Sequence, residues 1–138
     1  MKLKLIALLT LITAFAPASK NAPLEVTVTG IKEIRGSVRV AIYDSADTFR
    51  KIPHLTLVLP VESDTLSFTV DELSIGNFAV MLYQDIDDNG KLKTNLVGMP
   101  REPWSGSFNG RIPIGPPKWK HVVFAHEKAV TSLTIQLH

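Results

Sequence analysis

Side chains able to do chemistry are concentrated in one stretch, Tyr83-Gln84-Asp85-Ile86-Asp87-Asp88-Asn89-Gly90-Lys91-Leu92-Lys93-Thr94-Asn95. Asp85, Asp87 and Asn89 occupy alternate positions and Gly90 follows, which is the opening half of a calcium loop, D-x-D-x-[DN]-G. Calcium takes about six to eight oxygen ligands. Asp85, Asp87 and Asn89 would offer side-chain oxygens, Lys91 its backbone carbonyl, and Gly90 the sharp reversal between them. The pattern then departs from a full loop. Leu96 stands where a bidentate Glu should close it, and Lys93 brings an ammonium to a ligand position. Asp88, Asn95 and Glu102 are the available substitutes. The competing reading is structural. Asp88-Asn89-Gly90-Lys91 suits a type I′ hairpin turn, and Asp and Asn oxygens in turns commonly accept backbone N–H groups. A cation, if held, is calcium bound weakly; no other cofactor is expected.

Other constellations carry less. His121 and His126 are an odd number of residues apart beside one expected strand, so they point to opposite faces. With no Cys in the chain and no pair of His at helical spacing, zinc has no ligand set. Ser105-Gly106-Ser107 does not form the G-x-S-x-G elbow of a serine hydrolase. Asp85 and Asp87 resemble a carboxylate pair, but carboxylates on an exposed turn stay ionised and solvated, unlike the pairs of acid–base sites. Catalysis is therefore not expected, and a hydrolase using loop carboxylates is the least favoured alternative. Trp104, Phe108 and Trp119 either contact a ligand or partner or close one end of the fold as a satellite core.

The elements that must position these residues begin after a targeting segment. Met1-Lys2-Leu3-Lys4 is a basic start, Leu5 to Phe15 is apolar apart from two Thr, and Ala16-Pro17-Ala18 is a cleavage site. Residues 1–18 are thus expected to be a signal peptide, and 19–138 a single domain that is periplasmic or secreted. The apolar run is shorter than the roughly 20 residues a spanning helix needs, so no stable membrane insertion follows cleavage. The full chain has 15 basic and 13 acidic residues. Removing Lys2 and Lys4 leaves 13 of each, and the basic footprint expected of a nucleic-acid binder disappears. Without disulfides, burial alone, or burial with a metal, must hold the domain.

Along that domain, Leu24–Thr29 and Val38–Tyr43 alternate apolar and polar residues at strand period. Leu55–Val61 continues the series, with Pro60 pointing to an edge, and Thr65–Val70 alternates cleanly. Phe78–Tyr83 is apolar on both parities, so it should be a central strand covered on both faces, and it delivers the acidic loop. Phe49, alone in a polar loop, is a plug for one end. Residues at about 91–118 lack a period and hold five of the nine prolines; long unstructured loops are often functional. His121–Ala125 and Val130–Leu137 close the chain. Seven short strands indicate an all-β, antiparallel seven-stranded β-sandwich, immunoglobulin-like or transthyretin-like. A closed barrel is the competing architecture.

Tyr83-x-Asp85-x-Asp87-x-Asn89-Gly90-Lys91-Leu92, then Asn95-x-x-Gly98-x-Pro100-x-Glu102, resembles the bacterial domain of unknown function 2141 family. Ser107-Phe108-Asn109 and Pro116-Pro117 fit its second block, and the likeness covers nearly the whole chain after the signal. The resemblance implies an exported β-sandwich with no established activity. The family usually has an acidic residue where this chain has Lys93. That departure favours a loop-shaping role for Gly90, Gly98, Pro100 and Glu102 over a metal role. The expected function is an exported binding or structural module, with an unidentified extracytoplasmic ligand or partner; a weak calcium module is the alternative.

Overall fold

The computed structural model describes residues 20–127 and 129–138. The expected signal peptide and its cleavage site lie outside the described residues. The strands are β1 (Asn21–Thr29), β2 (Ser37–Tyr43), β3 (Leu55–Pro60), β4 (Leu66–Ser74), β5 (Gly76–Asp85), β6 (Trp104–Gly106), β7 (Phe124–His126) and β8 (Thr131–Gln136). One helical turn, α1 (Trp119–Val122), precedes β7. The chain is all-β in two sheets, ordered β4-β1-β8 and β3-β2-β5-β6, with β7 paired to the start of β5. No helix among the described residues is long and apolar enough to cross a membrane.

Alternation does what its period dictates. Leu24, Val26 and Val28 of β1, Val38, Val40 and Ile42 of β2, and Phe78, Val80 and Leu82 of β5 meet in one core shared by both sheets. That shared core is consistent with a β-sandwich. The other parity of β5 is covered too. Ala79 and Met81 pack with Tyr43, Phe49, Val122, Phe108 and Trp119 on the outer face of the larger sheet. Phe49 thus covers a sheet face; its ring meets Tyr43 and Trp119 edge-on at 5.2 and 5.9 Å. Leu55, Leu57 and Leu59 of β3 share the core, and β3, which ends in Pro60, lies at an edge.

Four expectations are corrected. There are eight strands among the described residues, not seven, because the long loop contains β6, a three-residue strand too short to show a period. The sheets are not wholly antiparallel: β1 and β8 run parallel. Alternation reports a strand's face, not its direction, and parallel neighbours need only a long connection, here most of the chain. The expected strand His121–Ala125 is instead α1 followed by β7. Pro116-Pro117 ends the preceding extension, and the Lys118 N–H donates to His121 Nδ1 at 3.2 Å, starting the helical turn. Lastly, the loop after β5 is not a type I′ turn at Asn89-Gly90. Positive φ falls on Asp88 (53°) and Gly90 (80°), not on Asn89.

A backbone seam joins the sheets. Trp104 at the start of β6 and His138 beyond β8 exchange two backbone hydrogen bonds of 3.2 Å.

Candidate functional site

Asp85 ends β5 on the outer face of the larger sheet, and Arg39 of β2 lies on that face beside it, opposite Tyr83 in the ladder. Arg39 Nε donates to Asp85 Oδ2 at 2.5 Å. The Gly90 N–H donates to the same oxygen at 2.8 Å and the Asn89 N–H to Oδ1 at 3.1 Å. Asp85 is fully buried. Burial alone would raise its pKa, but the Arg39 bond and the two loop amides outweigh it and hold the carboxyl below the ordinary aspartate value. Asp85 is therefore a buried anion around which the loop is wrapped.

That wrapping explains the backbone. Asp88 takes the left-handed conformation, and its Oδ1 accepts a short hydrogen bond from Ser37 Oγ. Gly36, at φ 70°, lies so close beneath the loop that a Cβ there would be 2.1 Å from the Asp85 carbonyl oxygen. Asp87 Oδ1 accepts the Asn89 N–H at 3.3 Å, and Asn89 Oδ1 accepts the Lys91 N–H at 2.7 Å. Lys91 is exposed, and Lys93 Nζ lies 4.0 Å from Asp87.

Glu102 is buried nearby. It accepts the Ile86 N–H at 2.9 Å on one oxygen and the Lys93 N–H at 2.8 Å on the other. It pins both ends of the excursion that Asn95 then closes: Asn95 Oδ1 accepts the Val97 and Met99 N–H groups, Gly98 turns at φ 81°, and Thr94 bridges Pro100. Asp85, Asp87 and Glu102 each place an oxygen within 4.8 Å of the others, so the fold does gather a carboxylate trio. The expectation that Asp85 and Asp87 share an exposed, solvated turn is corrected for Asp85, which is buried. Asp87 is exposed.

Beside this loop is an open cleft of about 460 Å³ on the outer sheet face. Its lining includes Leu57, Met81, Leu92 and Trp104, two tyrosines, Tyr43 and Tyr83, and two arginines, Arg39 and Arg50. Burial raises the pKa of both tyrosines, the larger opposing influence on each coming from Arg50 for Tyr43 and from Arg39 for Tyr83. Both phenols are neutral at pH 7. Of the three expected contact aromatics, Trp104 lines the cleft. Phe108 lies edge-on to it at 6.0 Å, and Trp119 belongs to the cluster around Phe49.

Sequence reasoning missed Arg39, Ser37 and Gly36. Arg39 had a local signal: it is the one charged residue in an alternating apolar strand. The candidate nucleophile and metal-ligand positions are otherwise engaged. Ser107 Oγ donates to the Val122 carbonyl at 2.6 Å and accepts the Val80 N–H. His126, buried, bonds Thr131 Oγ1 and the Ala22 carbonyl, and His54 pairs with Asp44.

A family model, DUF2141, described as an uncharacterized protein conserved in bacteria, matches residues 26–134. No curated protein and no solved structure matches the chain.

Proposed function

This chain belongs to the DUF2141 family of bacterial proteins, and on that footing we propose that it is an exported small-ligand-binding module, not an enzyme. The carrying observation is the cleft. Its volume of about 460 Å³ suits a small molecule, and its mix of apolar walls with a few polar groups is that of a ligand seat. Arg39 donates only Nε–H to Asp85 and keeps further N–H donors on its fork. Arg50 is exposed at another part of the lining. The matching ligand has a flat apolar body to lie on Trp104, Tyr83 and Met81, and one anionic group to meet the arginines.

Non-enzymatic use is supported by the state of the groups. Asp85 is held ionised by Arg39 and two loop amides, so it is not poised to exchange a proton near neutral pH, and both Glu102 oxygens accept fixed loop amides, which commits that side chain to the loop. Naphthalene-2-carboxylate is a suitable probe. In a ¹H–¹⁵N NMR titration it should shift the amides of Tyr43, Met81, Tyr83 and Trp104, and Arg50→Ala should weaken it. Shifts mapping elsewhere, or none at millimolar probe, would sink the reading. Export is tested by mass spectrometry of the cell fractions, where processing after Ala18 is expected.

A second reading, a weak calcium site, is favoured by the carboxylate trio of Asp85, Asp87 and Glu102. Two cations oppose it: Arg39 at 2.5 Å from Asp85 and Lys93 at 4.0 Å from Asp87. The better account of these oxygens is that they order the loop.

A further inference from the structure

The excursion between Lys93 and Arg101 folds into a tight hairpin with an unusual surface. Leu96 is fully exposed, at 107% of its reference area, and Val97 and Met99 are at 78% and 62%. Isolated exposed apolar residues are ordinary, but three on one turn tip mark an interaction surface. The tip is held firmly. Asn95 N–H donates to the Met99 carbonyl at 2.8 Å, and Arg101 N–H to the Lys93 carbonyl at 2.7 Å. At the root Glu102 accepts the Lys93 amide from a buried position.

Two features define the occupant. The first is charge. Lys91, Lys93 and Arg101 flank the tip, all exposed, with no acidic residue between positions 91 and 101; of the three only Lys93 has a carboxylate nearby, Asp87 at 4.0 Å. The second is the state of the backbone. The N–H groups of Val97, Gly98 and Met99 are all accepted by Asn95, two by Oδ1 and one by its carbonyl. Three consecutive donors are thus satisfied inside the turn, which lowers the cost of carrying the tip out of bulk water into a lipid interface. Beside the tip a shallow hollow of about 450 Å³ is lined by Thr94, Asn95, Leu96, Val97 and Arg101, so polar groups and one cation adjoin the apolar side chains.

We propose that this hairpin is a membrane-surface anchor, seating Leu96, Val97 and Met99 in the interface of an anionic bilayer while Lys91, Lys93 and Arg101 meet the headgroups. An apolar tip with a basic collar combines the two attractions that give peripheral binding. The surface is separate from the cleft, and neither reading depends on the other.

The test uses the protein as its producing cell processes it, with vesicles of phosphatidylglycerol and phosphatidylcholine in equal parts, against phosphatidylcholine alone. The chain should sediment with the anionic vesicles and release in high salt. Leu96→Ser combined with Val97→Ser should lower partitioning at least about tenfold, and Lys91→Gln or Arg101→Gln about fivefold each. These side chains are exposed, so melting temperatures should hold. All variants share one N-terminus, so an uncleaved leader would raise every curve without producing these ratios. Leu96→Trp reports insertion directly: its emission should shift to the blue and be quenched by brominated lipid. Partitioning that ignores the tip substitutions overturns the proposal. An unshifted Leu96→Trp emission at saturating lipid also overturns it, and leaves a protein partner as the occupant of the tip.

Discussion

Replacing Asp85 by Ala should be among the most damaging single changes near the loop, and the structure allows the size to be worked out. The substitution removes three hydrogen bonds: to Arg39 and to the Asn89 and Gly90 amides. The two amides belong to exposed residues and regain water, so about 0.5–1 kcal/mol each is appropriate, the low end for a net hydrogen bond. The Arg39 pair is asymmetric. Asp85 is fully buried, but the Arg39 side chain is 28% exposed, so the 3–5 kcal/mol for breaking a buried pair falls to roughly 1–2 kcal/mol after solvent screening. The total is about 3 kcal/mol, or a drop of roughly 12 °C in Tm for a domain of this size. Thermal and urea melts of the wild type, Asp85→Ala, Arg39→Met and the double variant check it, with a coupling of about 1–2 kcal/mol expected across the cycle. The pH dependence is a second readout. Asp85 titrates lower in the folded chain than in the unfolded chain, whose value is about 3.9. Its stabilisation is therefore complete above the unfolded value and is lost as pH falls through the folded one. The gap between wild type and Asp85→Ala should close as pH drops from neutral to below 4. A variant melting within about 3 °C of wild type at pH 7, or a coupling under about 0.5 kcal/mol, would refute the account of Asp85 as the loop's anchor.

Gly36→Ala should destabilise by about 3 kcal/mol or more, since its Cβ would overlap the Asp85 carbonyl oxygen at 2.1 Å; a urea melt measures it. Glu102→Gln should cost about 1–2 kcal/mol, because its NH₂ group must turn toward the Ile86 or the Lys93 amide, now donor against donor. Hydrogen exchange at those two amides should speed up. Calcium up to roughly 10 mM should leave the wild-type Tm where EDTA leaves it; a rise abolished by Asp87→Ala would establish the weak-site reading instead.

Much of the frame was legible because burial writes a period into the chain. The alternation in β1 and β2, the double-sided apolar run in β5 and the edge signalled by Pro60 are all local patterns. What was illegible depends on contacts across long stretches of chain. Asp85 reads as a solvated turn residue until Arg39, far back in the sequence, is placed against it. The positive φ of Asp88 follows from Ser37, and the need for Gly36 from the path of β5, neither visible in a window around the acidic loop. The α1 segment reads as strand in the sequence because Val122-Val123-Phe124 favours β structure, while the capping contact between Lys118 and His121 decides the local conformation.

The parallel pairing of β1 with β8 has a mechanical consequence. The two strands lie side by side from Leu24 opposite Thr131 to Thr29 opposite Gln136. Among the described residues one is the first strand and the other the last. Tension between them draws β1 toward its N-terminal end and β8 toward its C-terminal end, so the two slide past each other lengthwise. The whole ladder is then loaded at once, in shear, instead of peeling open one rung at a time. Because forced rupture tracks the unfolding barrier more than the equilibrium stability, this clasp should make the module resist pulling from its ends even if its resistance to heat is ordinary.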